Sequence, residues 1–239
     1  MTTPPPPPRV SRPVMYQEWR RLTFLHWRYR PETVQALLPP GLEAETWDGS
    51  AWVGLVPFLM RDVRPPLVPA APWLSQFPET NVRTYVRDQR GRSGIWFFSL
   101  DAARLPAVLA ARATYGLPYF WSRMRVHANG DRLSYRSRRR WPGPRGARCD
   151  TEVRIGAALS GVEVDPLAHF LTARYRLFSV FAGQLVAAEA EHPPWLLHHA
   201  EPLRLDENLL AAGGLPPPRG DVLAHASAGV RVRVGRWRR

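Results

Sequence analysis

Glu79, Asn81, Arg83 and Tyr85 occur at every second position of Glu79-Thr80-Asn81-Val82-Arg83-Thr84-Tyr85-Val86. The stretch is rich in β-branched and aromatic residues and has no internal Gly or Pro, so it is predicted as a β-strand. Alternation along a strand puts these four side chains on one face, with about 6.6 Å between successive members. A carboxylate, an amide, a guanidinium and a phenol in one row can bind and protonate a small polar ligand. Arg83 could anchor a carboxylate or carbonyl through its planar fork. Glu79 could serve as a general base if burial raises its pKa. The competing reading is a polar row facing water, with Glu79 and Arg83 as a weak surface pair.

The next segment bears on that choice. Gln89 to Arg92 reads as a turn into Gly94-Ile95-Trp96-Phe97-Phe98-Ser99-Leu100-Asp101, an apolar run predicted as a strand covered on both faces. A strand hairpinned to such a neighbour is central, and its polar row then faces something enclosed. Ser99 on that neighbour and His26 on the first strand join Asn81, Arg83 and Tyr85 as candidate substrate-binding residues. A histidine alone on a strand is also an ordinary structural residue.

The elements that must position this row read as follows. Residues 1–13 are Pro-rich and expected to be an extended, disordered tail, with a single domain over 14–235. Trp19 to Tyr29 reads as a strand and Pro31 to Leu38 as a short helix. Leu42–Trp47 and Ala51–Met60 flank Asp48-Gly49, a hairpin signal. Residues 64–78 hold five prolines and are expected to be an irregular loop, a candidate lid. Leu105 to Tyr115 is predicted as a helix stopped by Gly116. Tyr119–Ala128 and Arg132–Arg139 read as a hairpin, Thr151–Leu159 as a strand and Pro166–Ala173 as a helix. Tyr175–Val180 and Leu185–Glu191 read as strands. Asp206–Ala212 reads as a short helix, followed by strands near 221–226 and 229–234. Hairpins dominate and βαβ alternation is missing, so the expected class is α+β, a mainly antiparallel β core with a few helices packed outside.

Composition narrows the chemistry. The chain has 239 residues, a net charge of +13 and no lysine, so every basic residue is arginine and Schiff-base catalysis by a lysine is excluded. The single cysteine, Cys149, permits no intrachain disulfide, which fits a reducing, cytoplasmic setting. No signal segment or membrane span is read, so no membrane partner is expected. There is no nucleotide-binding glycine loop and no nucleophile elbow, and no cofactor is expected. His192, His198 and His199 lack the spacing of a zinc site, so no metal is expected. Six arginines between residues 136 and 148, beside Trp141, could contact nucleic acid. A solvated arginine-rich loop is the preferred reading. A homo-oligomer is compatible with the sequence.

Several stretches together resemble the YqjF-like family, a domain of unknown function: Phe24-Leu25-His26-Trp27, Phe77 to Val86, Trp96 to Asp101, Ala111 to Tyr119, Leu171 to Tyr175 and His192-Pro193-Pro194-Trp195. That family is distantly similar to acetoacetate decarboxylase, so the resemblance implies a β-rich, barrel-like core enclosing a pocket. The decarboxylase keeps its catalytic lysine after a helix ending in a Gly-aromatic-Pro turn. The similar turn here is Gly116-Leu117-Pro118, followed by Tyr119. The resemblance therefore implies that Tyr119 stands at the nucleophile's place, where a phenol can donate a hydrogen bond or a proton but cannot form an imine. Glu79 and Tyr119 are the candidate catalytic residues. Arg112, on the preceding helix, is expected to pair with Asp101.

Overall fold

The computed structural model describes residues 7–160 and 164–238. Thirteen strands form one sheet: β1 Met15–Tyr29, β2 Leu42–Ala44, β3 Thr46–Trp47, β4 Ser50–Arg64, β5 Phe77–Asp88, β6 Ser93–Ala102, β7 Tyr119–Asn129, β8 Arg132–Trp141, β9 Arg148–Ala158, β10 Arg176–Phe181, β11 Gln184–Glu191, β12 His198–Glu207 and β13 Leu223–Val234. Four short helices accompany it: α1 Pro31–Gln35, α2 Leu105–Tyr115, α3 Pro166–Thr172 and α4 Leu209–Ala212. No helix among the described residues is long and apolar enough to cross a membrane.

The sheet is mixed. Most neighbours are antiparallel, but β6 pairs in parallel with both β7 and β10. Its order runs β11-β10-β6-β7-β8-β9-β12-β13-β1-β4-β5-β2, with further pairings of β11 to β13 and of β6 to β5. Those two extra pairings close the sheet twice. The strands β13, β1, β4, β5 and β6 form a wall shared by both closures.

Each face of the wall meets a different interior. Leu25, Val53, Leu55 and Val82 pack against Leu133, Tyr135, Cys149 and Val153 from β8 and β9. On the other face, Phe24, Val56 and Phe58 join Phe77, Val108 and Leu197. Two-sided burial explains why β5 is nearly all buried despite its polar alternation. Glu79, Asn81 and Arg83 are tolerated there because their face borders a cavity, and Thr84 because its hydroxyl donates to the Trp52 carbonyl at 2.8 Å.

Local signals account for most boundaries. The turn Asp48-Gly49 joins β3 to β4, with φ of 49° and 70° at its two residues. The hairpin is shorter than expected, because β2 leaves it to pair with β5. Helix α2 begins with Pro106 in its first turn and ends at Gly116, φ +62°. Strand β12, which the sequence does not signal, alternates half-buried and exposed residues around Pro202. It takes the first residues of the helix expected at 206–212, leaving α4 at Leu209–Ala212. The two strands expected near 221–226 and 229–234 are the single strand β13.

The first six residues of the expected tail lie outside the described residues. Val10 is buried, and its amide donates to Glu191 Oε2 at 2.6 Å. Residues 65–76, the greater part of the irregular loop expected at 64–78, connect β4 to β5 and expose Leu67 and Trp73. Arg104 holds this loop by donating from Nε to the Trp73 carbonyl at 2.9 Å.

Candidate active site

A cavity of about 360 Å³ lies on the open face of the shared wall. Its polar lining from β5 is Glu79, Asn81 and Arg83, in the alternation read from the sequence, and Tyr119 faces them from the start of β7. Most of the remaining surface is apolar, with Trp19, Phe58, Phe77, Phe97 and Trp195 among its residues.

Tyr119 is placed by backbone geometry. Gly116 adopts the left-handed conformation, and a Cβ there would lie 2.4 Å from the Val180 carbonyl oxygen. The chain then turns through Leu117-Pro118, and Tyr119 pairs in parallel with Leu100 of β6. Arg112 secures the turn from α2 by donating to the Tyr119 carbonyl at 2.8 Å. The expected pair of Arg112 with Asp101 does not form. Asp101 is fully buried and accepts two hydrogen bonds from Arg139, at 2.9 and 2.6 Å, and one from Ser122 at 2.6 Å. The Arg139 guanidinium enters from β8, far from Asp101 in sequence, and rests 3.6 Å from the Phe120 ring centre.

The Tyr119 hydroxyl donates to Glu79 Oε2 at 3.0 Å. Burial pushes the Glu79 carboxyl up to about 8; the Tyr119 hydrogen bond opposes the shift and the Asp101 charge adds to it. Glu79 is therefore mainly neutral near pH 7. Burial, and then the neighbouring Glu79, hold the Tyr119 phenol well above its ordinary range. Together they form a proton-bearing pair in the cavity wall.

Arg83 is buried, and Nη2 donates to the Leu171 carbonyl at 3.3 Å. Its guanidinium lies 5.5 Å from the Phe24 ring centre and 5.8 Å from that of Tyr85. Nε has no partner among the described residues, and no carboxylate there pairs with this side chain. The other cavity arginines differ. Arg64 pairs with Asp62 at 3.1 Å, Arg174 with Glu45, and Arg176 with Glu189 at 2.7 Å. Asn81 Oδ1 is also buried without a partner among the described residues. An unneutralised buried guanidinium beside an unused amide oxygen is suited to an anionic ligand that also carries a hydrogen-bond donor.

Three predicted site residues lie elsewhere. Ser99 pairs with Val82 on the packed face of the wall, because a bulge at Phe98 shifts the register between β5 and β6. Tyr85 is on the row's face but is covered by Leu171 and Trp52, outside the cavity lining. His26 lies behind Arg83, and its Nε2 is 2.6 Å from the Tyr85 hydroxyl. Burial holds the His26 imidazole well below its ordinary pKa, aided by the Arg83 charge. Gly54 permits this arrangement, since a Cβ there would stand 2.9 Å from the His26 ring and 3.6 Å from Arg83 Cγ.

Residues not assigned a role from sequence also reach the cavity: Thr172, Arg174, Arg176, His192 and Trp195. Four of them fall in Leu171–Tyr175 or His192–Trp195, whose resemblance to the family was the available signal. His192 packs at 4.7 to 5.8 Å from Tyr175, Trp195 and Trp19. Among the described residues there is no cluster of three or more His, Cys, Asp or Glu able to hold a metal ion.

The arginines of 136–148 are partly committed. Arg139 is in the buried pair, Arg136 lies 3.3 Å from Asp150, and Arg148 lies 2.8 Å from Asp206.

Comparison with known proteins agrees with this architecture. The profile of an uncharacterised conserved protein, DUF2071, matches residues 16–231. The uncharacterised protein YqjF of Bacillus subtilis is 37% identical over 212 residues, covering 89% of this chain and 86% of that protein. Acetoacetate decarboxylase from Legionella pneumophila superposes with a TM-score of 0.67 at 14% identity, covering 100% of this chain and 93% of that one. The enduracididine biosynthesis enzyme MppR complexed with pyruvate superposes with a TM-score of 0.64 at 16% identity, covering 100% of this chain and 91% of the other. At such identities the two structures establish a common fold, the acetoacetate decarboxylase-like fold.

Proposed function

The chain belongs to the DUF2071 family of uncharacterised conserved proteins, and from that premise we propose that its cavity binds a small carbonyl or carboxylate compound and moves protons on it without forming an imine. The observation that carries this reading is the Tyr119–Glu79 hydrogen bond in the same cavity wall as the unneutralised Arg83. Arg83 holds the ligand's carboxylate. Neutral Glu79 donates a hydrogen bond or a proton to the ligand's carbonyl oxygen, and Tyr119 holds Glu79 in place. Above pH 8 the ionised Glu79 takes a proton from the carbon beside that carbonyl, the Arg83 cation balances the enolate that forms, and the proton returns from Glu79 to carbon or oxygen. Enolisation, hydration or dehydration falls within this repertoire. The pyruvate bound to MppR is one compound of the proposed kind. A cytoplasmic setting is proposed with it, supported by a single cysteine that is buried and free.

The test is proton exchange at the carbon beside the carbonyl of 2-oxo acids in D2O, followed by NMR. The wild-type chain is expected to accelerate exchange and Glu79→Gln to abolish it. Full exchange in Glu79→Gln overturns the role of Glu79. Binding without exchange in the wild type overturns the catalytic part and leaves a ligand-binding protein.

A further inference from the structure

We infer that the ligand is an apolar carboxylic acid, with a medium-length alkyl chain or an aryl group, rather than a compact polar acid. This rests on the reading of Arg83 as the carboxylate anchor. The groups free to meet an anion and a carbonyl are Arg83, Asn81, Glu79 and Tyr119, gathered along one wall. Trp19, Phe58, Phe77 and Phe97 stand beside them on the same wall, and Trp195 and Trp237 add apolar surface from outside it. The remaining arginines do not alter that balance, because Arg64, Arg174 and Arg176 already have carboxylate partners.

A cavity of about 360 Å³ is within the range of roughly 300–1,000 Å³ that takes ligands well above the size of a three-carbon acid. A compact acid at Arg83 would leave the aromatic part unfilled. Water fills such space poorly, because a buried water needs two to four polar partners. An alkyl or aryl tail gains on the order of fourfold in affinity for each methylene removed from water.

Trp237 forms part of this apolar end. It lies beyond β13, where the backbone of Arg238 exchanges two hydrogen bonds of 2.8 Å with Ala187. Its ring centre is 5.7 Å from that of Tyr115, another cavity residue. Trp237 is thus placed to select for the tail from an element other than the one that carries the polar row.

Isothermal titration calorimetry of the full chain with pyruvate, 2-oxohexanoate, 2-oxooctanoate and 4-phenyl-2-oxobutanoate tests the inference. 2-Oxooctanoate is expected to bind at least ~50-fold more tightly than pyruvate, with a heat-capacity change growing more negative along the series. Trp237→Ala is expected to weaken the two longest acids about fivefold or more while changing pyruvate less than about twofold. Arg83→Met, checked for folding by thermal unfolding, should remove binding of every acid. Equal affinities along a series that still depends on Arg83 overturn the apolar class and keep the pocket. Binding that survives Arg83→Met, or no binding of any acid, overturns the pocket reading itself.

Discussion

The Tyr119 hydroxyl and the Glu79 carboxyl meet at 3.0 Å although forty residues separate them. One belongs to β5 and the other to the first residue of β7, with β6 between them. Glu79 is deeply buried, has no arginine partner among the described residues, and is made neutral near pH 7 by its surroundings. The pair can hold and deliver a proton without an ammonium group.

Glu79 should make stability depend on pH. Its carboxyl rises from the ordinary 4.5 to about 8 on folding. Between those values the unfolded chain releases a proton that the folded chain keeps. The stabilisation is complete below pH 4.5 and is lost as pH rises through 8. At about 1.4 kcal/mol per pKa unit the loss amounts to a few kcal/mol. Denaturant unfolding of wild type and Glu79→Gln from pH 4.5 to 8.5 should show a difference that moves in favour of the variant as pH rises. A difference independent of pH would contradict the raised pKa.

Arg83 should cost stability in the absence of ligand. It is a buried cation whose Nε has no partner. Arg83→Met keeps the contacts with Phe24 and Tyr85 and removes the charge. The variant is expected to be more stable than wild type by about 1 kcal/mol or more. Thermal unfolding of ligand-free protein checks this, and a clear fall in Tm would count against an uncompensated charge.

The Asp101–Arg139 pair should behave in the opposite way. Both side chains are fully buried, and Asp101 accepts three hydrogen bonds. Asp101→Ala leaves the guanidinium without its counter-ion, at an expected cost of about 3–5 kcal/mol. Urea unfolding at pH 7 measures it. A loss below about 1 kcal/mol would show that the pair is dispensable.

Gly116→Ala should disturb the site through the backbone. The added Cβ would face the Val180 carbonyl at 2.4 Å with φ at +62°. Destabilisation of about 1–3 kcal/mol is expected. Displacing Tyr119 should also remove the hydrogen bond that opposes the Glu79 shift, so the Glu79 carboxyl should titrate still further above its ordinary range, visible in its NMR titration. An unchanged titration would mean that the turn does not control Tyr119.

Much of this arrangement was legible in the sequence because it depends on local rules. Period-two alternation placed Glu79, Asn81 and Arg83 on one face, and Gly116 marked the end of α2. The structure departs from expectation where long-range contacts decide. Ser99 is on the wrong face because of a single bulge opposite Arg83. Arg139 rather than Arg112 meets Asp101 because β7 and β8 bring it there, which no spacing near Asp101 reveals. Strand β12 was illegible because its Pro202 and alternating exposure imitate a loop. The parallel pairings of β6 were hidden for a different reason, since neither partner adjoins it in a hairpin.

The shared wall has a consequence for how such a protein can diversify. Val82 and its neighbours carry the packed interior on one face, while Glu79, Asn81 and Arg83 furnish the cavity on the other. Residues adjacent in the chain therefore answer to separate selective demands. Substitutions at odd positions of this segment can re-furnish the cavity while the even positions preserve the scaffold, so a new ligand preference can arise on β5 without a new fold.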